Sequence, residues 1–69
     1  MSDHVYKTVE LTGSSTIGIE DAVTTALNRA KSTIHNIRWF ECTNIRGEIS
    51  DNAIAHWQVT IKLGFTLDG

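Results

Sequence analysis

Residues 53–67, AIAHWQVTIKLGFTL, decide the fold. Ala55, Trp57, Val59, Ile61, Leu63, Phe65 and Leu67 fall on one side of an extended chain. His56, Gln58, Thr60, Lys62 and Thr66 fall on the other, together with Gly64. Successive side chains of a strand point to opposite faces, so this alternation predicts a strand with one apolar face. That face must be covered. The preceding text supplies the cover: residues 16–36, TIGIEDAVTTALNRAKSTIHN, carry Ile19, Ala22, Val23, Ala26, Leu27, Ala30 and Ile34 at spacings of three and four, an apolar stripe along a helix. Ser15 is its N-cap candidate and Asn36 its C-cap candidate. Glu20 and Asp21 lie early, and Arg29, Lys31 and His35 late, the signs the helix dipole favours.

Two further strands complete the pattern. Residues 4–12 alternate, with Val5, Lys7, Val9 and Leu11 on one face and Tyr6, Thr8, Glu10 and Thr12 on the other, and Gly13 ends the run. Residues 37–49 form the second strand, joined to the third by the short hairpin connection "ISDN". The order is β-α-β-β. The helix returns the chain, so the first two strands run parallel and the third lies between them, antiparallel to both. The predicted fold class is α+β: a three-stranded antiparallel sheet in order 1-3-2, one helix on one face, and a single domain over residues 1–69.

One helix leaves the other sheet face bare. In "IRWFECT" (37–43), Trp39 and Phe40 are neighbours and must point to opposite faces. Phe40 and Cys42 suit the helix side. Trp39 is left on the bare face with Gln58, Thr60 and Lys62. A buried apolar side chain of this kind contributes roughly 1.5–3 kcal/mol, forfeited in water. Pattern alone leaves two covers open: a subunit interface, the commoner fate of such a tryptophan, or a planar ligand stacked on the indole. An amide such as Gln58 donates and accepts at once, which suits a heterocycle carrying alternating N–H and C=O groups.

The totals narrow the class. A chain of 69 residues buries only about 60% of its unfolded surface and is marginal alone. Cys42 is the single cysteine, so no disulfide forms within the chain. His4, His35, His56 and Cys42 lack metal-ligand spacing, so no metal is expected. Oligomerisation is the remaining common device. The net charge of −2 gives no footprint for nucleic acid or anionic membrane. No apolar run approaches the roughly 20 residues of a membrane span, and "MSDHVYKTVE" has no signal-peptide core. A cytoplasmic protein is expected. No catalytic set emerges either. Glu41 and Glu48 would lie about 23 Å apart on a strand, and "GSSTIG" lacks phosphate-loop spacing and reads as a helix cap. Trp57 falls on the core side, and His56 beside Gln58 suits a hydrogen bond at an interface.

The sequence resembles the dodecins, small flavin-binding proteins. The resemblance runs over roughly residues 4–67. It is carried by "VYKTVELTGSS", "RAKSTIHNI", "RWFECTNIRGEI" and "HWQVTIKLGFTL", with W-F-E followed nineteen residues later by glutamine. It implies a hollow homo-dodecamer of cubic symmetry with sheets inside and helices outside. It also implies flavins bound in pairs near two-fold axes, each pair sandwiched between tryptophans of two subunits. The family's stacking tryptophan falls on Trp39, and the glutamine that bonds the isoalloxazine edge falls on Gln58. Bacterial-type members mostly carry FMN, and riboflavin is an alternative. The implied role is flavin storage and quenching of flavin photochemistry, without turnover. Arg46 matches a basic position that helps hold the flavin or its phosphate. Strict alternation, however, puts Arg46 with Phe40 on the helix side, unless a bulge at Gly47 shifts the parity or the residue serves a neighbouring subunit. Cys42 stands where valine is common. Thr66 stands where some members use an arginine for a coenzyme A-type ligand, which puts that second site in doubt. Two other readings stay open: a flavin-dependent oxidoreductase, and a ligand-free assembly module.

Overall fold

The computed structural model describes residues 3–67. The ends of the expected 1–69 domain, residues 1–2 and 68–69, lie outside the described residues. The order is β1 (Tyr6–Ser15), α1 (Ile19–Ala30), β2 (Ile37–Ser50) and β3 (Ala53–Thr66). β3 lies between β1 and β2 and is antiparallel to both, giving the sheet order 1-3-2.

The helix covers β1 and β3. Its Ala22, Val23, Ala26 and Ala30 close on Val59, Ile61 and Leu63 of β3, which are fully buried. Val9 and Leu11 of β1 flank this core. The alanines let the helix approach closely, and Gly13 lets it approach further. A Cβ there would run into the backbone carbonyl of Ala22. The expectation that Gly13 ends β1 is corrected: the strand continues through it, paired with Val59, to Ser15 opposite Trp57.

The helix is shorter at both ends than its apolar spacing predicted. Its N-cap position is Gly18, not Ser15. Ser15 still organises the entry. Its hydroxyl accepts from the backbone N–H groups of Ile17 (2.9 Å) and Gly18 (3.2 Å) and donates to Asp21 (2.6 Å). At the other end the cap is Lys31, not Asn36. Ser32 and Thr33 turn their hydroxyls onto the carbonyls of Arg29 and Ala30, a local competition that ends helices. Asn36, with φ 65°, instead turns the chain into β2.

The β2–β3 hairpin closes through Asp51 and Asn52, both with positive φ (54° and 60°). Two such residues in a two-residue loop are the requirement of a type I′ turn, whose twist matches the strands it joins. The hairpin projects well past the helix, so the molecule is long, 56 × 20 × 13 Å. Along β2, Phe40 (52% exposed), Ile45 and Ile49 (73%) remain in contact with solvent. Trp57 is half-buried between Ser15 and Gly47 and lies outside the core cluster, rather than packed into it.

Candidate functional site

The sheet face opposite the helix is built in cross-strand rows. From one end they read Thr8–Gly64–Trp39, Glu10–Lys62–Glu41, Thr12–Thr60–Asn44 and Ser14–Gln58–Arg46, with His56–Glu48 beyond. Trp39 thus lies on the bare face, as alternation required, and shares it with Gln58.

Two bulges on β2 set what that face presents. The register slips between Ile37 and Trp39, so Ile37 packs against the core while Trp39 points away from it. It slips again between Cys42 and Asn44, leaving Thr43 as an extra residue. A bulge of one residue reverses the parity of everything after it. Arg46 is therefore on the bare face beside Gln58, and Ile45 is on the helix side opposite Val59. For Arg46 this corrects the expectation from strict alternation. The parity change comes at Thr43; Gly47 pairs regularly with Trp57. Thr43 is held by its hydroxyl, which donates to Glu10 (3.1 Å) and lies 3.3 Å from the Thr60 carbonyl oxygen.

At one end of the face the Trp39 indole lies over Gly64, with Tyr6 against it at a centroid separation of 5.0 Å and an interplanar angle of 66°. Trp39 keeps 40% of its surface exposed. At the other end the Nε of Arg46 donates to the Oε1 of Gln58 at 3.0 Å. That bond uses an acceptor of Gln58. What the pair has left is mostly donor groups: the amide hydrogens and the other guanidinium N–H groups. Such an end suits a ligand edge of carbonyl or phosphate oxygens. Next to it Glu48 Oε1 lies 3.1 Å from His56 Nδ1, so that histidine has a partner within its own chain.

The two ends are not adjacent. Gly64, opposite Trp39, and Gln58 are six residues apart along β3, about 20 Å at the usual rise. The register brings Arg46 and Gln58 together and keeps Trp39 apart from them. A tricyclic ring lying on the indole of one chain cannot also reach Gln58 of that chain. Sequence reasoning missed Gly64 and Tyr6 as neighbours of Trp39. The two-residue step from Gly64 to Thr66, the β3 partner of Tyr6, was available once the register was known. Thr66 itself is buried, 9% exposed, and offers no cation.

The fold and this face together define a class: short β-α-β-β chains that cover one sheet face with their own helix and leave an aromatic-bearing face bare. The chain belongs to the dodecin family, whose family model, described as Dodecin, matches residues 5–68. It is 44% identical to the dodecin of Thermus thermophilus over 64 residues, 93% of each chain. The solved dodecin of Streptomyces davaonensis superposes with a TM-score of 0.93 at 46% identity, covering 99% of this chain and 100% of that one. The dodecin of Streptomyces coelicolor gives 0.94 at 46% identity, covering 100% and 99%. Among the described residues no helix is long and apolar enough to cross a membrane.

Proposed function

We propose that the chain binds FMN on its bare sheet face, as a non-catalytic flavin store built from many copies of itself. The observation that carries this is the Trp39 indole, laid on the sheet at Gly64 and still 40% exposed. A flat, rigid, half-uncovered ring is a stacking platform, and aromatic rings favour offset stacking on other π systems. The donor-rich Arg46–Gln58 pair, bonded at 3.0 Å, matches the carbonyl edge or the phosphate of FMN. Riboflavin would use the ring alone.

The separation of Trp39 from Gln58 makes the site composite. One subunit supplies the stacking surface, and a second supplies the Arg46–Gln58 end. Assembly is also favoured by Phe40, Ile45, Ile49 and Ile54, which a single chain leaves exposed. Apolar surface of that extent marks an interface in a soluble protein. The family's hollow dodecamer satisfies both needs. A flavin held between an indole and a second flavin has both ring faces covered, so no substrate can approach. The reading is therefore storage and photochemical quenching, not oxidoreductase turnover. Two measurements on the purified protein test it: mass in solution, and FMN emission on titration. Stacking on Trp39 predicts strong quenching by an assembly of twelve chains. Undiminished emission at excess protein refutes flavin binding and leaves the ligand-free assembly module.

A further inference from the structure

Two other residues, Gly64 and Tyr6, lie against the Trp39 indole. Gly64 lies directly opposite on β3, and its backbone does not require glycine, since its φ is not in the left-handed region. Glycine in a strand interior weakens the strand and often marks a close approach by another group. Here that group is the indole. A Cβ at Gly64 would strike Cζ2, Cε2 and Cη2, three consecutive ring atoms at nearly equal range. A ring turned edge-on would bring one atom close and hold its neighbours farther off. Near-equal approach to three in a row means the ring lies face down. Tyr6 meets the same indole at 5.0 Å between centroids and 66° between planes, an edge contact that resists tilting.

We propose that Gly64 and Tyr6 form a seat that holds the Trp39 indole flat, which makes them positioning residues of the stacking site. One face of the indole is spent on the sheet, and the opposite face alone is offered to a ligand ring. The inference rests on the proposed function for the identity of that ligand, but not for the orientation of the indole.

The test uses the full chain in a Trp57→Phe background, so that Trp39 is the one indole. Gly64→Ala and Tyr6→Ala are compared with this parent by two readouts. The first is acrylamide quenching of Trp39 emission without ligand. The second is FMN affinity by flavin emission. The seat predicts that both variants raise acrylamide quenching and weaken FMN binding by about fivefold, the loss of roughly half a stacking contact. Tyr6→Phe, which keeps the ring edge, restores both. Gly64→Ala with parental quenching and parental affinity overturns the seat. If Gly64→Ala fails to assemble, the tyrosine pair decides, and identical behaviour of Tyr6→Ala and Tyr6→Phe overturns it. If the parent does not bind FMN, the proposed function fails, while acrylamide quenching still tests the seat.

Discussion

Deleting Thr43 would remove the extra residue that turns Arg46 onto the bare face. The two halves of β2 are pinned independently. The near half is held by Trp39 opposite Gly64 and Phe40 opposite Leu63, and the far half by Ile45 opposite Val59 and Arg46 opposite Gln58. Without Thr43 both registers cannot hold, and one half must turn over. If the near half turns, Phe40 leaves the helix side and Trp39 leaves the bare face. If the far half turns, Ile45 and Arg46 exchange faces. Phe40 and Ile45 are each about half exposed, so losing either costs about 1 kcal/mol, half the value for full burial. The Thr43 hydroxyl contacts with Glu10 and Thr60 add about 0.5–1.5 kcal/mol. The expected loss is therefore about 2 kcal/mol, against a total of roughly 3–10 kcal/mol for a chain this long. With a urea slope near ~1 kcal/mol/M for a small protein, the midpoint should fall by about 2 M. The assay is urea unfolding at matched protein concentration, because anything that binds the folded chain, a second copy included, raises its apparent stability. A deletion variant with the parental midpoint and parental FMN affinity would show that the bulge does not set the faces.

Other perturbations follow from the same packing. Ile61 is fully buried at the centre of β3, so Ile61→Ala should cost about 2–5 kcal/mol and Ile61→Val about 0.5–1.5 kcal/mol by denaturant unfolding. Gly13→Ala would push a methyl into the Ala22 carbonyl; backbone cannot yield as a side chain can, and about 1–3 kcal/mol should be lost in the same assay. Asn52→Gly should raise the thermal midpoint slightly, with a gain of at most ~1 kcal/mol, because it relieves a positive φ in the type I′ turn.

Much of the fold was legible because its signals were redundant. The alternation of β3, the three-and-four spacing of the helix and the chemistry of "ISDN" each pointed to the same β-α-β-β order. The bare-face position of Trp39 was legible for the same reason. The face of Arg46 was not. A bulge at Thr43 leaves no mark in sequence: Thr43 has no positive φ and is not glycine, whereas Gly47, the obvious suspect, pairs regularly. The helix ends were misjudged because apolar periodicity continues through Ile34, although serine and threonine hydroxyls end the helix before it. The separation of Trp39 from Gln58 required the register, which parity alone does not supply.

The central claim is that the open face of Trp39 carries the flavin, and the most direct measurement is the FMN dissociation constant of Trp39→Ala beside that of the parent chain. A stacked base on an aromatic ring is typically worth about 1–3 kcal/mol. The account predicts a loss of affinity of about tenfold or more, with the assembly still intact by mass. A change below about threefold in an intact assembly would mean that the flavin rests elsewhere.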